Sequence, residues 1–172
     1  MRAVRRRATV LLAAGLMLAG PAPAQDMTVG TSGLPVPRFV SLKSDSVNVR
    51  QGPSRDQVVI WRYVRAGMPV EITQEFENWR RIRDFEGGEG WVFHSLLSGT
   101  RTAIVAPWAA DKTPIALHAD PDETSRVTAN VEPKVQAPVD KCDGAWCRLD
   151  GKGFSGWIVQ GSLWGVYPDE KF

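Results

Sequence analysis

Apolar and polar residues alternate over short stretches along most of this chain, and turn residues separate the stretches. Within residues 38–50, Phe39, Val47 and Val49 fall on the candidate buried side. Residues 58–64, Val-Val-Ile-Trp-Arg-Tyr-Val, are β-branched and aromatic, and Met68, Val70 and Ile72 alternate through residues 68–73. Trp-Arg-Arg-Ile-Arg at 79–83 follows a short Phe-Glu-Asn turn, and Gly-Trp-Val-Phe at 90–93 follows a glycine-rich one. Short runs of this kind, about ten residues apart with turn chemistry between them, predict an all-β barrel or sandwich. No stretch from residue 25 onward sustains a helical period, and Ser95, Leu96 and Leu97 have room only for one 3₁₀ turn.

The pattern is written twice. Gly-Trp-Val-Phe at 90–93 returns as Gly-Trp-Ile-Val at 156–159, and Trp79-Arg80-Arg81-Ile82 returns as Trp146-Cys147-Arg148-Leu149. Residues 134–142 answer residues 68–76, and residues 102–107 and 114–119 stand where the first two strands stood. The offset holds at about 66 to 68 residues, too long a period for a solenoid and suited to two small units in tandem. Only residues 98–100 separate Leu97 from Arg101, so the units stay close together. The repeated tryptophans Trp91 and Trp157 are expected in the two cores, each burying on the order of 200 Å². Val92 and Ile158 are expected on the opposite face. Leu96, Leu97, Leu163 and Trp164 are expected to plug the barrel ends.

The motif Asn-Val-Arg-Gln-Gly-Pro-Ser at 48–54, followed by Gly67, Trp79 and Gly-Trp-Val at 90–92, resembles the bacterial SH3-like (SH3b) domain. The second half resembles a diverged copy, with Ala116-Leu117-His118 in place of Asn-Val-Arg. The ending Trp-Gly-Val-Tyr-Pro-Asp-Glu at 164–170 extends the likeness to secreted proteins built from two such units. The resemblance implies small barrels over residues 38–100 and 101–168, with a short tail over 169–172; residues 25–37, rich in Gly, Thr, Ser and Pro with little apolar content, read as a flexible lead-in. The resemblance also implies contact with a cell-wall peptide or a protein partner.

The first 24 residues have the character of an export signal. Arg2, Arg5, Arg6 and Arg7 precede an apolar run from Ala8 to Ala19, and Ala22-Pro23-Ala24 offers a cleavage site between Ala24 and Gln25. Twelve apolar residues are too few to span a membrane, so a periplasmic or extracellular protein with no membrane insertion after processing is expected. Removing this segment leaves 17 basic residues against 19 acidic, about −2. The basic balance of the whole chain therefore gives no support to nucleic-acid binding. Arg62, Arg65, Arg80, Arg81 and Arg83 form the one basic cluster. Glu75, Glu77, Asp84 and Glu86 flank the same hairpin, and cross-strand charge pairing on a solvated face accounts for them.

Cys142 and Cys147 bracket an Asp-Gly turn, which sets them opposite each other on paired strands. In an oxidising compartment that spacing predicts a disulfide rather than a redox-active pair. His94 and His118 fall at different stages of the two units, so no metal site, cofactor or thiol-imidazole catalytic pair is expected. The expected protein is a monomeric, non-catalytic binding module of the cell envelope, recognising peptidoglycan peptide or an envelope protein. Trp61, Tyr63 and Trp79 are its candidate ligand residues: the first two alternate on one strand and have no aromatic counterpart in the second unit. The competing readings are a structural protein-interaction unit without wall binding, or part of a cell-wall hydrolase system.

Overall fold

The computed structural model describes residues 27–172. The proposed cleavage site at Ala24 and Gln25 lies outside the described residues.

A small hairpin of β1 (Thr28–Val29) and β2 (Pro35–Val36) comes first. Seven strands follow: β3 (Arg38–Leu42), β4 (Val47–Arg50), β5 (Val59–Tyr63), β6 (Pro69–Phe76), β7 (Trp79–Arg83), β8 (Glu89–Phe93) and β9 (Leu97–Ser98), with a 3₁₀ turn at His94–Leu96 before the last. They form one sheet in the order β5-β4-β8-β7-β6-β3-β9. The second unit repeats the set as β10 (Thr102–Val105), β11 (Ile115–His118), β12 (Val127–Val131), β13 (Gln136–Cys142), β14 (Trp146–Gly151), β15 (Phe154–Val159), a 3₁₀ turn at Gln160–Ser162, and β16 (Leu163–Trp164). Its order, β12-β11-β15-β14-β13-β10-β16, is the first order with seven added to every label. The duplication legible in the residues is thus a duplication of topology, down to a β-bulge at Val49/Arg50 that recurs at Leu117/His118.

Each sheet surrounds its own core. Val47, Val49, Val70, Ile72, Ile82 and Val92 fill the first; Leu117, Ala137, Val139, Leu149 and Ile158 fill the second. The alternation of β8 and β15 runs opposite to the expectation for their tryptophans. Val92 and Ile158 are buried, whereas Trp91 and Trp157 lie half-exposed on the outer face. The reason is space. Gly90 packs under Val49, and a Cβ there would also sit 3.0 Å from the Arg50 carbonyl oxygen; one at Gly156 would sit 2.9 Å from that of His118. The inner face of this strand admits a glycine followed by an aliphatic side chain, so the indoles cover the outside. Trp157 is capped there by Lys141, whose Nζ is 5.2 Å from the ring centre.

Residues 28–36, expected as a flexible lead-in, form ordered structure gathered around one carboxylate. Glu75 accepts hydrogen bonds from the Ser32 amide (2.7 Å), the Ser32 hydroxyl (2.8 Å) and the Thr31 hydroxyl (3.2 Å). Arg38 and Arg80 pair with it at 2.8 and 3.1 Å. Burial alone would raise this carboxyl, but the Ser32 and Arg38 hydrogen bonds outweigh it and hold the group at about 2. The tail is also ordered: Phe172 exchanges backbone hydrogen bonds with Cys142, at 3.1 and 3.2 Å.

The two units pack directly on each other. Phe39 of β3 meets Trp164 at 4.9 Å and Tyr167 at 4.7 Å between ring centres, and Phe85 meets Trp164 at 6.4 Å. Trp164, expected to plug its own barrel, therefore serves this contact, while Leu163 enters the second core. The Tyr167 hydroxyl donates to buried Glu71 at 2.9 Å, and Arg83 Nε reaches the other oxygen of that carboxylate at 3.0 Å. Burial first, then the charge of Glu71, pushes the Tyr167 hydroxyl well above the usual phenol range. The Thr102 hydroxyl and the Gln136 amide close the seam on the carbonyls of Gly67 (2.7 Å) and Ala66 (3.1 Å).

Candidate functional site

A shallow groove of about 380 Å³ opens on the first unit, where the outer faces of β4, β7 and β8 meet the loop after β4. Asn48 and Arg50 reach it from β4, Trp79 from β7, Phe93 from the end of β8 and Arg55 from the loop. Strand alternation explains the set. Val47 and Val49 face inward, so Asn48 faces out; the bulge after Val49 re-aims Arg50. Trp79 and Phe93 are direct cross-strand neighbours and pack edge to face, 5.4 Å apart at 82°. Arg55 lies over the Phe93 ring at 5.5 Å. Arg50 Nη1 donates to the Gln57 carbonyl at 2.7 Å, fastening the loop to the strand. Neither arginine belongs to an ion pair among the described residues, unlike Arg80, Arg81 and Arg83, which are matched to Glu75, Glu89 and Glu71.

The second unit carries a groove of about 290 Å³ at the matching place. His118 stands at the Arg50 position, since each pairs with the tryptophan of the last long strand. Trp146 stands at the Trp79 position and Val159 at that of Phe93. His118 Nδ1 lies 3.2 Å from the Ser125 carbonyl, the counterpart of the Arg50–Gln57 tie, and its ring meets Trp146 edge-on at 5.7 Å. A carbonyl only accepts, so Nδ1 donates here, and in the neutral ring Nε2 is left as the acceptor. Glu123 lines this groove at the position Arg55 holds in the first.

A sequence profile of the bacterial SH3 domain matches residues 43–99 and again residues 111–165. The chain belongs to that family. Both SH3 domains are therefore present, and each match spans the strands that build its groove. Among curated protein sequences nothing matches the chain. Solved structures that share limited likeness include NlpC2 of Trichomonas vaginalis (14% identity, 75% of this chain and 48% of that one, TM-score 0.34), NlpC1 of the same organism (16%, 84% and 51%, 0.33), and an NlpC/P60 family protein of Bacillus cereus ATCC 10987 (12%, 76% and 57%, 0.30). The chain spans about half the length of these proteins. Likeness at this level fixes neither fold nor function.

The three aromatic candidates separate within the first SH3 domain. Trp79 lines the groove. Trp61 and Tyr63 do not; they pack on each other at 6.1 Å on edge strand β5 and belong to the core or lean against it. Tyr63 is buried, and its hydroxyl donates to Asp84 at 2.7 Å. Burial, reinforced by that bond, pushes the phenol above its usual range. Asp84 in turn accepts the Glu86 and Gly88 amides at 3.0 and 2.8 Å, so Tyr63 braces the β7–β8 turn. Sequence reasoning missed Arg50, Arg55, Phe93, His118 and Glu123. Position-by-position comparison of the two copies would have found four of them, because Arg50/His118 and Arg55/Glu123 change charge type at matched sites. Cys142 and Cys147 are joined by a disulfide, with Cα atoms 4.1 Å apart, and no free cysteine is present among the described residues. Neither sulfur is a thiolate available for nucleophilic attack. No group of three His, Cys, Asp or Glu among the described residues could hold a metal ion.

Proposed function

We propose that this protein is a non-catalytic binding module of the bacterial cell envelope that takes peptide segments of the cell wall into its two SH3 grooves. The observation that carries this reading is the recurrence of an open groove at one place in both copies, built by matching elements around a matching tryptophan. Core residues recur because each copy needs a core. A recurring concavity walled by half-exposed Phe93 and Trp146, with charged side chains outside any ion pair at its rim, is not required for folding, and it has the composition of a recognition site. Within this reading Phe93 and Trp146 offer the aromatic contact, Trp79 forms the groove wall with only 8% of its surface exposed, and Trp61 and Tyr63 act by holding the first barrel's shape. Location in the periplasm or outside the cell follows from the proposed export signal and suits the disulfide.

Co-sedimentation of the purified protein with isolated peptidoglycan sacculi tests it. Wild-type protein is expected in the pellet, with less pelleted for Phe93→Ala and Trp146→Ala. Wild-type protein remaining wholly in the supernatant overturns the reading. A second reading, docking of an envelope protein, is favoured by edge strand β5, which pairs only with β4 and exposes Val59 and Ile60, flanked by exposed Val58 and Val64. Such an edge accepts an added strand. Loss of envelope-protein capture in Ile60→Lys, with sacculus binding intact, would establish that partner instead.

A further inference from the structure

The two grooves coincide in position and differ in charge. In the first domain the groove loop reads Gly52-Pro53-Ser54-Arg55; in the second the same four positions read Asp120-Pro121-Asp122-Glu123. The two loops share a backbone hydrogen-bond pattern. Ser54 N bonds Gly52 O and Gln57 N bonds Ser54 O, as Asp122 N bonds Asp120 O and Ser125 N bonds Asp122 O. The substitutions therefore leave the turn intact and change only what it presents. Asp122 Oδ1 accepts both the Thr124 amide and the Thr124 hydroxyl, at 2.8 and 2.9 Å. Glu123 is exposed and makes no ion pair.

Donors and acceptors divide the same way. Arg50 and Arg55 present only N–H donors and two positive charges beside Trp79 and Phe93. Asp56, next along the loop, takes the Ser54 hydroxyl at 3.4 Å and pairs with neither arginine. In the second groove the Glu123 carboxylate is an acceptor, as is Nε2 of a neutral His118, and Ala116 replaces Asn48. An anion would meet paired guanidinium donors in the first groove and repulsion in the second. An ammonium group would meet a carboxylate, an imidazole lone pair and an indole in the second, and two like charges in the first.

We infer that the duplicated grooves have diverged into a carboxylate site, Arg50 and Arg55 with Trp79 and Phe93, and an ammonium site, Glu123 and His118 with Trp146. The assignment rests on the wall-peptide reading for the identity of its natural ligand, and on the groove chemistry alone for its charge preference. The probes are N-acetyl-alanyl-alanine for a terminal carboxylate, N-acetylglutamate α-amide for a side-chain carboxylate and N-acetyl-lysine amide for an ammonium group. Each is added at about 10 mM, above the millimolar Kd that fragments of this size reach. The indole N–H resonances of Trp79 and Trp146 report each groove separately.

At pH 7 at least one carboxylate probe is expected to shift Trp79 and not Trp146, and which one does so separates a terminal from a side-chain source. The lysine probe is expected to shift Trp146 and not Trp79. Arg55→Gln should weaken the carboxylate response at least tenfold. His118→Arg with Glu123→Arg should create a carboxylate response at Trp146, a gain that misfolding cannot produce. Both indoles moving alike with every probe, neither moving with any, or no gain in the double variant overturns the inference. Sacculus binding with unselective probes removes the charge assignment and leaves the wall reading. Selective probes without sacculus binding do the reverse.

Discussion

Replacing Glu75 with Gln removes the charge around which the N-terminal hairpin is arranged. The carboxyl is held at about 2 against an ordinary 4.5, so ionisation favours the folded form by about 3 kcal/mol. The folded value is the depressed one. The stabilisation is therefore complete above roughly pH 5 and is lost as pH falls through 4.5 towards 2. The Glu75 side chain is 1% exposed, so solvent does little to screen it. Glu75→Gln also leaves Arg38 and Arg80 facing a neutral amide, which adds to the loss. The side-chain hydrogen bonds that join residues 31 and 32 to β6 all end on this group, so the loss is expected as local opening. Hydrogen exchange at the Ser32 amide, which donates to Glu75, reads that opening directly. At pH 7 the variant's Ser32 amide should exchange about a hundredfold faster than wild type, and the ratio should shrink towards one near pH 2. A ratio below about threefold at pH 7, or one that does not narrow with acidification, refutes the electrostatic account of the hairpin.

Replacing both Cys142 and Cys147 with Ala should lower stability by about 2 kcal/mol in urea unfolding, and thiol titration of the unreduced, denatured wild type should find no free thiol. Tyr167→Phe should cost about 1–2 kcal/mol, because buried Glu71 keeps Arg83 but loses its hydroxyl donor. Calorimetry should then show the two domains melting less cooperatively. Val92→Ala should destabilise by about 2 kcal/mol and Trp91→Ala by less, which equilibrium unfolding of the pair will rank. Gly90→Ala should cost about 1–3 kcal/mol by crowding Val49, with a lowered Tm as the readout.

The features readable from the chain were those encoded locally or by repetition. Turn residues and alternation marked the strands, the fixed offset exposed the duplication, and the Asp-Gly turn placed Cys142 opposite Cys147. Which face of an alternating strand turns inward was not readable at β8 or β15. It depends on Val49 and the Arg50 carbonyl crossing over Gly90, which are contacts from another strand. The ordering of residues 28–36 escaped because Ser32 and Glu75 lie 43 positions apart. Lack of an aromatic counterpart in the second copy singles out Trp61 and Tyr63 as ligand candidates. Tyr63 corresponds to Val131, and both are buried; a change of residue type between copies therefore does not mark a surface position. The grooves needed Arg50, Arg55, Trp79 and Phe93 from four separate segments. Only the fold assembles them, although the charge reversal between copies was visible in the aligned loops.

Trp164 and Tyr167, wedged against Phe39 and tied to Glu71, remove the freedom that tandem modules usually keep. A polymer reaching both grooves would meet a ruler rather than a tether. Once one end is seated, the other is presented at an effective concentration set by geometry, with no linker entropy left to spend. Repeating ligands whose spacing fits gain avidity from both sites at once, and those out of step are held by one alone.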